Sequence, residues 1–247
     1  MSDVRKGSTM STATPADPTH RPESPPLHGF RGGPTPVLSK PRGLTIALSR
    51  EAGARGAIVA RKVGELLGWQ VFDQELLDFL VNDDAAREQL LADVPAGARE
   101  WADAQLSRLR EEGKLNVEAD TIPMVRLMLT IAARGEAVIV GRGAGFLLPT
   151  ETTLHARIVA TLDSRLAYIS ESQRLTQNEA NVELQSRDHQ RTQFLDRTFR
   201  RAPTDPYSYD LILNSTRLGV EGCSRAIVET IKFKHLAPEM DGEDEMA

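Results

Sequence analysis

Ser49-Arg50-Glu51-Ala52-Gly53-Ala54-Arg55-Gly56-Ala57 is the stretch of this 247-residue chain best equipped to hold an anion. Small residues and two glycines let backbone N–H groups crowd round a ligand, while Arg50 and Arg55 add charge. Leu44 to Leu48 ahead of it reads as a short buried strand. From Ala57 onward Val59, Val63, Leu66 and Leu67 recur at helical spacing, and Gly68 closes the helix. A strand, a glycine loop and a helix in that order aim unpaired N–H groups and the positive helix end at one point, which suits phosphate.

Other side chains fit the same chemistry. Arg142 stands between Gly141 and Gly143 just after an apolar run, Ala137 to Val140, so it would leave a sheet edge where a ligand lies; the alternative is a solvated arginine. Asp73 ends a second short run, Gln70 to Phe72, and either accepts hydrogen bonds from a ligand or caps the helix that starts at Gln74. Arg187 and Arg191 are four apart and share a helix face, with Asp188 able to orient either one. That face reads equally as a charged outer surface. Glu51 either holds a magnesium ion or pairs with Arg50. Guanidinium groups are planar, bidentate and always charged, which is what phosphate oxygens require.

The elements that must position these residues follow from periodicity. Gln74 to Val81 continues helically after the second strand, and residues 85–135 are helical almost throughout, with breaks at Pro95, Gly97 and Gly113. His155 to Ala160 reads as a fourth strand. A long arginine-dense helical stretch runs from about Ser164 to Arg200, Tyr209 to Leu213 reads as a fifth strand, and Val220 to Phe233 as a final helix. Apolar strands alternating with helices imply a parallel sheet covered on both faces, with ligands at the carboxyl ends of the strands. In this reading Ser49–Gly56, Asp73, Gly141–Gly145 and Thr161–Asp163 all lie at that edge.

Composition narrows the choices further. The net charge of −5 is unevenly spread: residues 1–43 carry six Lys/Arg against three Asp/Glu, and residues 237–247 carry five acids and no base. The mildly acidic middle argues against a nucleic-acid partner. Residues 1–43, rich in Pro, Ser, Thr and Gly, are expected to form a disordered arm, and residues 237–247 an acidic disordered tail. Cys223 is single, so an intramolecular disulfide is excluded and a reducing setting fits. No apolar run has membrane length and no signal-peptide core is found, so a cytoplasmic protein without a membrane partner is expected. The five histidines show no ligand spacing, and no metal-ligand set is assigned.

Taken in order, the motifs resemble the cytidylate kinase-like family of nucleoside monophosphate kinases over about residues 44 to 234. Leu48-Ser49-Arg50-Glu51 followed by Gly53 and Gly56 resembles that family's opening signature and glycine loop. Leu67-Gly68-Trp69 with Phe72-Asp73, Val138-Ile139-Val140-Gly141-Arg142-Gly143-Ala144, Arg187-Asp188-His189-Gln190-Arg191 and Tyr209-Asp210-Leu211-Ile212-Leu213-Asn214 match further segments. The resemblance implies an α/β, P-loop-kinase-like three-layer fold with a five-stranded parallel sheet. It assigns the helical region near 74–134 to monophosphate binding and an arginine-rich lid to about 164–205, within a domain spanning 44–236. It also implies γ-phosphoryl transfer from ATP, with Mg2+, to CMP or dCMP. Arg142 and Asp73 would hold the acceptor, residues 49–57 the ATP, and Arg187, Asp188 and Arg191 would serve catalysis.

One departure matters. The standard loop is G-x-x-x-x-G-K-[ST], but Ala57 and Ile58 follow Gly56, so the lysine and the hydroxyl are both missing. Arg50 or Arg55 is therefore expected to approach the ATP phosphates, with magnesium leaning on water, substrate oxygens and Glu51. A kinase of reduced efficiency is expected, and a nucleotide-binding module that no longer transfers phosphate is the competing expectation.

Overall fold

The computed structural model describes residues 43–92, 94–116 and 121–236. The expectations for the amino-terminal arm, apart from Gly43, and for the acidic tail concern residues outside these. Five strands, β1 (Thr45–Arg50), β2 (Gln70–Phe72), β3 (Ala137–Val140), β4 (Thr153–Val159) and β5 (Leu211–Asn214), form one sheet in the order β2-β3-β1-β4-β5. All the pairings are parallel.

The strands are apolar on both sides because both sides are covered. Ile46, Leu48, Val138, Val140, Leu154, Ala156 and Ile158 point to a layer made by α1 (Gly56–Leu67) and α9 (Ser215–Leu236, broken at Gly219), with Val59, Val63, Cys223 and Ile227. Ala47, Ile139, Ala137 and Phe72 point the other way. There they meet α2 (Gln74–Asn82), α4 (Ala96–Glu111) and α5 (Ile122–Arg134) through Leu77, Trp101, Leu106, Leu127, Met128 and Ile131. Between α2 and α4 lies α3 (Asp84–Leu91), and the single turn α6 (Ala144–Leu147) follows β3.

Two differences from the sequence reading bear on the site. Ser49 and Arg50, expected in the loop, belong to β1, because pairing with β4 extends to Ser49↔Arg157 and Arg50↔Ile158. The loop proper is thus Glu51–Arg55. The long arginine-dense helix is in fact two, α7 (Leu162–Gln173) and α8 (Gln177–Phe199), which turn back on each other. Thr176 starts α8 with a reciprocal cap in which its hydroxyl accepts from the Glu179 N–H and Glu179 accepts from the Thr176 N–H. The fifth strand starts at Leu211 rather than Tyr209, since Pro206–Ser208 forms a 3-10 turn ahead of it. Among the described residues no helix is long and apolar enough to cross a membrane.

This order places β1 between β3 and β4. The carboxyl ends of the three central strands, with their following loops Glu51–Arg55, Gly141–Gly143 and Ala160–Thr161, are therefore neighbours.

Candidate functional site

Three arginines from three segments converge at this edge. Arg50 ends β1, Arg142 sits in the turn after β3, and Arg191 lies on α8. Burial pushes the Arg50 guanidinium down to about 10; Arg191 and Arg142 push the same way, and Asp73 opposes them. Among the described residues no carboxylate forms an ion pair with Arg50. Arg191 is lowered chiefly by burial, with Asp188 opposing and Arg187, Arg165 and Arg157 reinforcing. Its nearest carboxylate oxygen is Asp188 Oδ1 at 3.6 Å, and its Nη1 is buried without a hydrogen-bond partner. Like charges held together in a low-dielectric edge are costly unless an anion joins them.

Arg142 is held in place by the backbone. Gly141, Arg142 and Gly143 all have positive φ, at 82°, 50° and 71°. For a non-glycine residue that conformation costs on the order of 1 kcal/mol, and such strain gathers where a side chain must be aimed. The Arg142 Nη2 donates to the Asp78 carboxylate of α2, while its Nε is buried without a partner. Asp73 caps α2, accepting from the Leu76 N–H at 3.0 Å through Oδ1. Of the two roles open in the sequence, the cap is therefore filled by one oxygen.

The loop is fastened to the α7–α8 pair. Asp188 Oδ1 accepts from the Ala52 N–H at 2.8 Å, Arg165 Nε donates to the Ala52 carbonyl at 2.7 Å, and Arg165 Nη2 donates to Asp188. Gly53 packs so closely on α7 that a Cβ there would lie 2.6 Å from the Arg165 carbonyl oxygen. Glu51 turns away from Arg50. Its Oε2 accepts from the Ala160 N–H at 3.1 Å and lies 3.5 Å from Arg165 Nη1, and its Oε1 lies 3.8 Å from Arg157 Nη2. Ala54 is buried, and its carbonyl accepts from the Ser215 hydroxyl at 2.9 Å. The Ser49 hydroxyl meets His155 Nε2 at 2.9 Å.

The remaining residues from the sequence reading lie apart from the convergence point. Arg55 caps α1 with φ 60° and lays its guanidinium over the Tyr168 ring of α7 at 5.4 Å. Gly56 is buried at the start of α1 and Ala57 is exposed. Arg187 shares the helix with Arg191, but its Nε donates to Glu183 Oε1 at 2.6 Å on α8 itself. Asp78, Arg157 and Arg165 are participants that the sequence did not single out. Arg165 had a legible signal, since it follows the Thr161–Asp163 strand end by two residues. Asp78 had none.

For magnesium, no group of three or more His, Cys, Asp or Glu side chains among the described residues is placed to hold a metal ion. Glu51, the one acid named for it, is taken up by two arginines and a backbone N–H. The donors among the described residues do not fit a resident metal. A cleft lined by Gln70, Phe72, Leu91, Arg134 and Ala137 opens at the opposite, amino end of β2 and β3, far from the arginines in the sheet.

The chain is similar in fold to an uncharacterized protein from Eubacterium ventriosum, with a TM-score of 0.55, 21% identity, and coverage of 78% of this chain and 99% of that one. It also matches shikimate kinase from Bacteroides thetaiotaomicron with a TM-score of 0.43 at 14% identity, over 76% and 98% of the two chains. Dephospho-CoA kinase from Campylobacter jejuni matches with a TM-score of 0.33 at 10% identity, over 77% and 96%. No curated protein matches the sequence. The fold is α/β and P-loop-kinase-like. The model of the cytidylate kinase-like family matches residues 45–217, from the first residue of β1 into α9, and with that match the chain belongs to the cytidylate kinase-like family.

Proposed function

We propose that this protein transfers the γ-phosphoryl group of ATP to a nucleoside monophosphate, with CMP or dCMP as the first acceptors to examine. The observation that carries the reading is the convergence of Arg50, Arg142 and Arg191 at the sheet edge, with no ion-pair partner for Arg50 among the described residues. Phosphoryl transfer asks little covalent chemistry of a protein and much positioning and positive charge, because the transferring group spreads negative charge over its equatorial oxygens. Family membership supports a kinase-type reaction.

In this reading the loop Glu51–Arg55 and the N–H groups that open α1 cradle the ATP phosphates. Arg142 takes the acceptor phosphate, exchanging its Asp78 contact for it, and Asp73 offers its second carboxylate oxygen to the acceptor nucleoside. Arg191 neutralises charge on the group in transit when α8 lies over the edge. Asp188 and Arg165 keep the loop in shape. Arg187 acts from a distance by its charge on Arg191. Magnesium accompanies ATP, and this chain's part is to orient the phosphates around it.

A second reading has a specific observation in its favour. The lysine and hydroxyl of the standard loop are absent, and Asp188 already occupies one loop N–H. A module that binds nucleotide without transferring phosphate would look the same in those two respects. The deciding experiment incubates the purified protein with ATP, Mg2+ and each common nucleoside monophosphate in turn, following ADP release. Release that depends on CMP or dCMP supports the kinase. ATP binding with no release for any acceptor gives the module.

A further inference from the structure

We infer that Arg50 is the cation of the transferring phosphoryl group and fills the place of a side chain that residue 56 lacks; this deepens the phosphoryl-transfer reading and rests on it. A loop that grips phosphate with backbone N–H groups alone leaves the outer oxygens without a counter-charge. The residue that opens the helix is the natural place for that charge; α1 starts at Gly56, so that place is residue 56, one before the Ala57 to which the motif counted along the sequence pointed.

The reason for glycine is on the page. A Cβ at Gly56 would lie 2.5 Å from Arg50 Cβ and 2.9 Å from Arg50 Cγ. Those atoms are the root of the Arg50 side chain, which cannot swing aside as a flexible tip would. A side chain at 56 and Arg50 therefore compete for one volume. The other end of Arg50 repeats the pattern, since a Cβ at Gly141 would overlap Arg50 Nη1. Two glycines from separate loops make a passage through which one arginine runs, from the end of β1 to the turn after β3.

Where the head arrives decides which phosphate it meets. Its electrostatic neighbours are Arg191, Arg142 and Asp73, the lid helix and the acceptor side. The other loop cation, Arg55, is stacked on Tyr168 of α7 and faces elsewhere. Arg50 thus serves the phosphoryl group between donor and acceptor, while the inner phosphates are left to the loop N–H groups.

The test measures ATP and ADP affinities by calorimetry for the native protein, Arg50→Gln, Gly56→Ala and the exchange variant Arg50→Gly/Gly56→Lys, each checked by thermal unfolding. Arg50→Gln should weaken ATP by about ten- to a hundredfold, as for a lost charge-assisted contact, and ADP by less than about threefold. Gly56→Ala should imitate Arg50→Gln, because the new methyl displaces the arginine root. The exchange variant, with lysine growing into the vacated volume, should regain about tenfold or more over Arg50→Gln. Equal losses for ATP and ADP, or none, in Arg50→Gln overturn the inference, and that variant alone decides if the Gly56 variants do not fold. ATP-specific loss in a protein that phosphorylates no monophosphate would leave Arg50's role standing and remove the kinase. Turnover with an indifferent Arg50 would do the reverse.

Discussion

The Asp188 carboxylate on α8 accepts the Ala52 backbone N–H at 2.8 Å, which ties α8 to the Glu51–Arg55 loop. Arg165 completes the tie, donating to both the Ala52 carbonyl and Asp188. The loop and the α7–α8 pair also share a small apolar cluster of Ala52, Ile169, Ala180 and Leu184. Asp188→Ala leaves the buried Arg165 with only the more distant Glu51 as counter-charge and the Ala52 N–H unpaired. Unfolding in urea should show a loss of about 1–3 kcal/mol, as for a buried group deprived of its partner. Asp188→Asn keeps an acceptor and should lose less. Native stability in Asp188→Ala would mean that the tie is not a support.

Arg191 and Arg187 part company in the structure, and their variants should do so too. Arg191 is half-buried beside Arg50, with its Nη1 covered and lacking a hydrogen-bond partner, whereas Arg187, also half-buried, is engaged with Glu183 on α8 itself. Arg191→Ala should lower turnover on the order of 10³-fold with much smaller changes in KM, as expected of a charge used on the group in transit. Arg187→Ala should stay within about threefold, since exposed intrahelical pairs contribute little. The reverse ranking in steady-state kinetics would exchange their roles.

That pair shows where the sequence was legible and where it was not. Spacing places Arg187 and Arg191 near each other on one helix, but four residues advance the helix slightly more than a full turn. Tertiary neighbours decide which guanidinium is covered. The elements themselves were legible wherever local chemistry sufficed. Ala137–Val140 is a strand bounded by Gly135 and Gly141, and Gly68 caps α1 with φ 70°, as its residue type demands. The division between α7 and α8 was also written in the sequence, in Thr176 followed three residues later by Glu179, a signal outweighed by unbroken helix formers on either side. Ser49 and Arg50 joined β1 because β4 pairs with them, and pairing between segments a hundred residues apart has no local signature. Asp78 is of the same kind, reaching Arg142 only because α2 folds over the turn after β3.

Arg142 carries the Asp78 carboxylate as its counterion, which in the proposed reaction an acceptor phosphate displaces. Arg142→Ala should weaken monophosphate binding by about one to two decades and ATP binding far less, as for loss of one charge-assisted contact. Asp78→Asn should strengthen monophosphate binding by a few-fold, because the partly exposed ion pair no longer competes for the guanidinium. Calorimetric titration with CMP and ATP distinguishes these outcomes. Equal losses for both ligands in Arg142→Ala would contradict its assignment to the acceptor.

His155 is expected to make the fold sensitive to acid. It is buried on β4, with its ring against Phe146 and Tyr209 and its Nε2 on the Ser49 hydroxyl. Burial pushes it down from 6.5 to about 4; the Ser208 backbone and Asp210 oppose this, and Arg157 and Lys234 reinforce it. Folded His155 is therefore neutral where the unfolded chain begins to take up a proton. The unfolded state binds more protons between these two values, so stability rises with pH there. The contribution is fully present above pH 6.5 and is lost progressively as pH falls toward 4, to a total of about 3 kcal/mol. His155→Phe removes this titration. Its urea midpoint should start lower than the native one at neutral pH, because the Ser49–His155 hydrogen bond is lost, and then decline less between pH 6.5 and 4. Parallel declines for the two proteins would assign the acid sensitivity to other groups.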